Sequence, residues 1–478
     1  VSARRAVRLC GVVAVLSLTV VLGQGTASAR GPLPIDPSQL PGKGAPTAPD
    51  TEKGTNCLFT VPLAASKAVP EPQRYLDFRS AWQFSRGQGV KVAVIDTGVA
   101  AHPRLPGLEP GGDYVGNSDG TEDCDIHGTI VAGLIAAKDD PADGFSGVAP
   151  DATILTLRQS SAIYQVKGRG AQKKEGENAD GYGDVGTLAA AVVRAADLGA
   201  KVINISEVAC AAPTLDDRAL GAAVRYAAVE HDAVIVAAAG NNDRESCKGA
   251  NPGIDPLHPT ADPYDRVATA VSPAWYDDFV LAVGSVSSNG AASSFTVPGP
   301  WVDVAAPGEN ITSLNPVNWQ QGVDTTTKTN EKGEKGTFQG TSFSAPLVAG
   351  TVALVRARFP QLSAPEVMKR IKATAHAPAE GWNPYVGFGV IDPVASVTAT
   401  VSPDQLSRIL TPNSAKLPIP PAPPAPDNRP RNVALIGAGI IATLLVLGVL
   451  ASFPIRRRIQ LAESSGNAAV ESSGARPS

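Results

Sequence analysis

From Val90 onward two kinds of apolar pattern alternate along the chain. The runs "VKVAVID" (90–96), "ATILTLR" (152–158), "KVINIS" (201–206), "AVIVAAA" (233–239) and "FVLAVGSV" (279–286) are short, rich in β-branched residues and close to continuous in hydrophobicity. Such runs predict strands buried on both faces. Between them "GTLAAAVVRAADLGA" (186–200) reads as a helix that closes at Gly199, and "TLDDRALGAAVRYAAVEHD" (214–232) as one with acidic residues in its first turn. "HGTIVAGLIAA" (127–137) and the small-residue apolar run after Ser342 predict two more helices, and Ser363-Ala364-Pro365-Glu366 is a capping box that opens another. Strands alternating with helices predict an α/β fold, a parallel sheet covered on both faces through right-handed crossovers.

The pattern breaks at both ends and twice inside. Gly31 to Pro72 is proline-rich and polar, which predicts an extended segment that wraps something or stays mobile. Gln159–Gly183 and Ser313–Gly336 are polar, glycine-containing stretches of a length that suits functional surface loops. Thr411 to Pro430 holds eight prolines in twenty residues and reads as a semi-rigid spacer. At the N-terminus Arg4, Arg5 and Arg8 precede an apolar run, Leu9 to Leu22, and then Ala27-Ser28-Ala29, the layout of a secretory signal peptide cleaved near Arg30. Val433 to Ile455 carries no charge, is long enough to cross a bilayer and is followed by Arg456, Arg457 and Arg458. The positive-inside rule then puts the short tail in the cytoplasm and the rest outside. The expected organisation is a signal peptide (1–29), an extension wrapping the domain (30–80), the globular domain (81–400), a linker (401–432), a transmembrane helix (433–455) and a cytoplasmic tail (456–478). No internal repeat is present.

Composition narrows the classes. With 43% hydrophobic and 18% charged residues in 478, the chain can bury a substantial core. A formal charge of −4 and a pI near 5.8 lack the basic surplus that phosphate backbones require, so no nucleic acid is expected as partner. Of five cysteines, Cys10 leaves with the signal peptide. Cys57, Cys124, Cys210 and Cys247 remain, an even number in an oxidising compartment and without C-x-x-C spacing, which favours disulfides over a metal site. Cys210 and Cys247 each follow a buried strand, 201–206 and 233–239. Pairing of those strands puts the loops after them on one edge, which selects Cys210–Cys247 and leaves Cys57–Cys124.

In parallel α/β sheets sites form at the C-terminal ends of strands. The first strand ends in Asp96-Thr97-Gly98. A D-T-G is a turn or half of an aspartic protease site, but no second D-T-G or D-S-G is present to share the proton. His127 opens an apolar helix in which Gly128 and Gly133 are odd choices unless something packs closely. Asn241 follows the strand "AVIVAAA" and offers an amide donor to the same edge. Ser342, in "QGTSFSAPLVAG" (339–350), taken alone reads as a helix cap, with Pro346 accommodated in the first turn. Beside an acid, a base and an amide donor it reads as a nucleophile at a helix N-terminus. The order Asp, His, Ser is that of subtilisin.

"VIDTG", "HGTIVAG", "AAAGNN" and "GTSFSAP" resemble the four signature blocks of the subtilisin-like serine proteases, over about residues 85 to 395. "AWQFSRGQGVKVAVIDTG", "DCDIHGT", "GFSGVAP", "AADLGAKVIN" and "PGPWVDVAAPGEN", with the signal peptide, the proline-rich extension and the C-terminal span, are similar to the mycosins, membrane-anchored subtilases of mycobacterial type VII secretion systems. The resemblance implies a serine endopeptidase with a subtilisin-like fold that uses no cofactor and acts on proteins or peptides. Ser342 would be its nucleophile, His127 the base and Asp96 the orienting acid, with the Asn241 side chain and the Ser342 N–H as the oxyanion hole. It also implies that the extension stays on as a wrap and that the protein supports the membrane secretion complex. The alternative is a mainly structural subunit with slow or dispensable protease activity. Where the general subtilase pattern has Ser-Leu-Gly-Gly, this chain has Ser206-Glu207-Val208-Ala209. Ser206, Glu207 and Val208, with Ala238, Ala239 and Gly240, are the expected walls of the substrate cleft, and side chains in place of glycines predict a narrow primary pocket. Subtilases often bind calcium, but no acidic cluster is assigned as its ligands and no metal is expected.

Overall fold

The computed structural model describes residues 31–402, apart from short internal stretches of which 169–180, 254–261 and 330–334 are the longest, and residues 427–470. The expected signal peptide and most of the proline-rich spacer lie outside the described residues. In the extension two short strands, β1 (Thr51–Lys53) and β2 (Thr60–Pro62), precede helix α1 (Glu71–Leu76). The domain then runs β3 (Lys91–Asp96), β4 (Glu109–Asp113), α2 (His127–Ala136), β5 (Thr153–Arg158), β6 (Tyr164–Val166), α3 (Val185–Asp197), β7 (Val202–Ile205), β8 (Ala209–Ala211) and α4 (Arg218–Arg225). It continues through β9 (Val234–Ala238), β10 (Ala270–Ser272), β11 (Val280–Val286), β12 (Val302–Pro307), β13 (Ser313–Leu314), β14 (Gly322–Thr329) and β15 (Lys335–Thr337) to α5 (Thr341–Arg358), α6 (Ala364–Thr374) and α7 (Pro393–Thr398).

The five near-continuous apolar runs are the inner strands of a seven-stranded parallel sheet in the order β12-β11-β9-β7-β3-β5-β4. Alternate residues feed two cores, as the pleat requires. Val92 and Val94 of β3 pack with Ile130 and Leu134 of α2 and Leu347 and Val352 of α5, while Ala93 and Ile95 pack with Leu188 and Val192 of α3 and Leu220 of α4. Helix α5 is buried all round from Thr341 to Arg356, so it runs through the domain rather than over it. The helix expected over 214–232 starts only at Arg218 and continues as a π-helical turn over Tyr226–Glu230. Asp217 does not cap it: its carboxylate is buried and accepts from Trp275 Nε1 (2.7 Å), Tyr276 Oη (2.7 Å) and Ser272 Oγ.

The extension and the two long loops form a second system of strands. β1 pairs antiparallel with β6, inside Gln159–Gly183, and β2 pairs antiparallel with β14, inside Ser313–Gly336, where β13 and β15 also pair with β14. What composition presented as one extended segment and two loops is thus partly β-structure, because polar backbone still needs hydrogen-bond partners and finds them in segments distant along the chain. Between β1 and β2 the Leu58 N–H donates to the Cys124 carbonyl (2.9 Å) and Cys57 is bonded to Cys124. Cys210 is bonded to Cys247, and the strands before them, β7 and β9, are parallel neighbours, as the strand-order reasoning required.

The chain divides into two units, Val1–Asn413 and Ser414–Ser478. In the second, among the described residues, helix α8 runs from Arg429 to Val470. Its segment Arg429–Ile459 has a mean hydropathy of 2.7 and is long and apolar enough to cross a membrane. The helix begins before Val433 and takes in Arg456, Arg457 and Arg458 rather than stopping ahead of them.

Candidate active site

Asp96 ends β3 and is fully buried. Its Oδ1 accepts from the Thr97 N–H (2.7 Å) and from His127 Nδ1 (2.7 Å). A carboxylate only accepts, so His127 Nδ1 is the donor in this bond. His127 is the first residue of α2, and the residue before it, Ile126, sits at φ 64° with no side chain capping the helix. Asp123 supplies the cap from outside: Oδ2 accepts from the Thr129 N–H (2.8 Å) and Oγ1 (2.6 Å), and Oδ1 accepts from Thr97 Oγ1 (2.9 Å). Thr97 Oγ1 in turn accepts from the Gly128 N–H (3.0 Å), so acid and base are tied through one short network. A Cβ on Gly128 would lie 2.0 Å from the Gly98 carbonyl oxygen, and one on Gly133 2.4 Å from Ser313 Oγ, which explains both glycines in this helix. Burial pushes the Asp123 carboxyl up to about 7. Asp125 is also pushed up by burial, and it pins the base of the first long loop, accepting from Ser161 Oγ (2.5 Å) and the Ala162 N–H (2.7 Å).

Ser342 is the second residue of α5. The cap position belongs to Gly340, which has no side chain to bond with, so Ser342 is not a helix cap. Asn241 Oδ1 accepts from the Thr341 N–H (2.9 Å) and Oγ1 (3.0 Å), which directs its amide nitrogen the other way. A Cβ on Gly340 would lie 3.1 Å from both Asn241 Nδ2 and Ser342 Oγ, so donor and hydroxyl border the same small space. Pro346 is not in the first turn of α5: it is the sixth residue and removes the N–H that would bond the Ser342 carbonyl. Ser206 Oγ fills that gap, donating to the Ser342 carbonyl at 2.8 Å while accepting from Asn204 Nδ2 at 2.9 Å.

The expected cleft walls divide accordingly. Ser206 is buried and spends its hydroxyl on the backbone of Ser342. Ala238 and Ala239 are 1% and 0% exposed, their side chains packed into the two opposite cores. Gly240, at φ +92°, turns the chain from β9 into Asn241, and a Cβ there would stand 3.3 Å from Cys210 Sγ. Val208 is half-buried between the cores. Glu207 points to the imidazole, with Oε1 3.7 Å from His127 Nδ1.

Asp96, His127 and Glu207 bring three ligand-type atoms within 4.8 Å of one another. Two atoms on one zinc, each about 2.0–2.2 Å from it, stand about 3.3 Å apart in a tetrahedron. The 2.7 Å between Asp96 and His127 is the spacing of a hydrogen bond instead. Sequence reasoning missed Thr97, Asp123 and Thr341. The one available signal was Ile126: a β-branched residue just before the helix cannot cap it, so the cap had to come from elsewhere.

The chain matches the subtilase family over residues 87–389. Mycosin-4 of Mycobacterium tuberculosis is 44% identical over 456 residues, spanning 94% of this chain and 96% of its own length. Among solved structures, that of MycP1 from Mycobacterium smegmatis is 44% identical, covers 78% of this chain and 96% of its own, and superposes with a TM-score of 0.71. A chain in the structure of an intact ESX-5 inner membrane complex is 41% identical, covers 88% of this chain and 98% of its own, with a TM-score of 0.71.

Proposed function

Because the chain belongs to the subtilase family and, within it, to the mycosins, we propose that it is a membrane-anchored serine endopeptidase that processes proteins exported by a type VII secretion system and supports that system's membrane complex. The observation that carries the catalytic part is the 2.7 Å bond from His127 to Asp96, set on the sheet edge that also holds Ser342 and Asn241. Ser342 Oγ attacks the scissile carbonyl, His127 Nε2 takes its proton and passes it to the leaving amine, and Asp96 holds the Nδ1–H and stabilises the imidazolium. The oxyanion receives the Asn241 amide and the Ser342 N–H, either of which is worth about 10²–10³ in turnover. Glu207 and Val208 leave room for small side chains before the scissile bond. The apolar segment of α8 anchors the chain with the domain outside the cytoplasmic membrane and the arginine-bearing end inside.

A second reading, mainly structural, draws on the likeness to a chain inside an intact ESX-5 inner membrane complex. One pair of strains separates the two. A fluorophosphonate probe should label the wild-type full chain in membranes and leave Ser342→Ala unlabelled; equal labelling of both would remove Ser342 from its role. Cells with Ser342→Ala should still export but leave substrate unprocessed, whereas deletion of the protein should impair export. A point mutant that blocks export as fully as the deletion would end the separate scaffold role.

A further inference from the structure

We propose that Phe343, the residue after the nucleophile, is a positioning residue for His127: its ring is the wall that sets the tilt of the imidazole, and Phe338 behind it ties that wall to the second long loop. The proposal rests on the reading of Asp96, His127 and Ser342 as a catalytic triad. The ring of Phe343 lies against the imidazole with centroids 5.0 Å apart and planes at 43°, within the range of a packed aromatic pair. A hydrogen bond such as that to Asp96 fixes where Nδ1 points, but by itself it does not stop the ring turning about that bond. A ring packed beside it does. Phe343 suits this role because it cannot yield: it is 4% exposed, and it shares its core with Ile130 and Leu134 of the helix that His127 opens. It also stands next to Ser342 on α5, a helix buried from Thr341 to Arg356. The wall therefore moves with the nucleophile, so it holds Nε2 relative to Ser342 and not merely relative to the sheet.

Phe338 supports the wall from behind. Its ring meets that of Phe343 edge-on, with centroids 5.9 Å apart and planes at 65°, and it is 7% exposed. Phe338 directly follows β15, and its carbonyl accepts from the Ile311 N–H (3.1 Å), while the Gly340 N–H donates to the Gly308 carbonyl (2.8 Å). These bonds pin the two ends of the second long loop together just where the chain enters α5. Within the loop β15 pairs with β14, which pairs with β2 of the extension. A continuous series of paired and packed groups thus runs from the extension through Phe338 and Phe343 to the base. Contact alone does not establish coupling, so the test measures it. Two phenylalanines that only filled the core would cost stability when trimmed and nothing else. A wall costs rate: misplacing a reacting group by about 1 Å costs on the order of 10², so a loosened imidazole should cost about tenfold.

The test follows fluorophosphonate labelling of the full chain against probe concentration, which separates the limiting rate from the half-saturating concentration. In Phe343→Leu, which keeps an apolar side chain, the limiting rate should fall about tenfold while the half-saturating concentration stays within about twofold. Phe343→Met, whose longer side chain refills the space, should recover part of the rate. Phe338→Leu should lower the same rate by less, and in the Phe343→Leu background it should add little, the mark of a shared route. A second readout needs no turnover. With ¹³C at histidine Cε1 in the Ser342→Ala background, and the His127 signal assigned by its loss in His127→Ala, removing the Phe343 ring current in Phe343→Leu should move the His127 signal and leave the other histidines in place. A limiting rate that holds in folded Phe343→Leu overturns the proposal, as does a His127 signal that stays put or a rate loss wholly explained by a smaller folded fraction. A strictly additive double variant overturns the link to the loop. If the parent chain never labels, the protease reading fails, and the His127 signal alone then decides whether Phe343 sets the ring.

Discussion

The sheet domain and the N-terminal extension use the same backbone ladder and are held by different means. In the domain, β3, β7, β9 and β11 lie side by side with their apolar side chains almost wholly buried, and each strand sits between two cores. In the extension, β1 and β2 are three-residue strands with exposed or half-buried side chains, paired to loops and tied down by one disulfide. The first region is stabilised by burial. The second gains little from burial and serves to fix the two loops it pairs with, which flank the edge carrying His127. The difference teaches that this extension is a brace for loop geometry rather than part of the core.

The largest effect that could break this comparison lies in the core. Lys372 of α6 and Asp303 of β12 form a buried pair at 2.8 Å, with side chains 8% and 3% exposed. Lys372→Ala leaves Asp303 buried without its partner and should cost about 3–5 kcal/mol, melting domain and extension together. A full-chain denaturation curve that barely moves would mean the pair is not held by the core at all. The next effect compares the two disulfides. They close 67 and 37 residues, for which the chain-entropy relation gives about 4 kcal/mol in either case, so loop length does not separate them. Location should. Replacing Cys210 and Cys247 by serine should lower the melting temperature of the domain, since that bridge abuts Gly240. Replacing Cys57 and Cys124 should instead open the extension to limited proteolysis while the domain melts nearly as before. Equal losses of domain stability in both would make the extension part of the same cooperative unit. A smaller effect concerns the Ser342 backbone. Ser206→Ala leaves a buried carbonyl unpaired and should cost about 1–3 kcal/mol. Pro346→Ala restores the missing N–H, so the double variant should recover part of that loss; a strictly additive cycle would show that Ser206 does not stand in for the proline.

The two regions were also unequally legible. The five inner strands were readable because Val, Ile and Ala buried on both faces leave a continuous apolar run. Edge strand β4 was not, since Glu109-Pro110-Gly111-Gly112-Asp113 has the composition of a turn and forms a strand only at a sheet edge, with a register shift at Pro110. β12 hid behind Asp303, a charge whose partner comes 69 residues later. β1, β2, β6 and β14 were invisible for a different reason: polar strands are specified by register against distant segments, and nothing local encodes the partner. The candidate site divides the same way. Asp96, His127, Asn241 and Ser342 each stand where an apolar run meets a polar residue, so all four could be named. Thr97, Asp123 and Thr341 act through hydrogen bonds to partners up to a hundred residues away. Asp123 lay inside the block "DCDIHGT" and still gave no sign that it caps the helix that begins three residues after its cysteine neighbour.

The smallest predicted effect lies where the two regions meet. Cys124 ties the extension to the domain, and its neighbour Asp123 caps the histidine helix. Burial raises the Asp123 carboxyl from 3.8 to about 7, so the folded chain holds this proton more tightly than the unfolded chain does. Its contribution to stability is complete below the unfolded value and is lost as pH rises through about 7. Melting temperature should therefore decline between pH 5 and pH 8. Other buried carboxyls, Asp125 and Asp217 among them, are raised as well and push in the same direction. The measurement is therefore the difference between the full chain and Asp123→Asn, which keeps an acceptor for Thr129 but cannot titrate. The wild type should lose more stability than the variant over that window. A variant whose melting temperature falls just as steeply would mean Asp123 stays ionised in the fold, and the helix that presents His127 would then be capped by a full charge at every working pH.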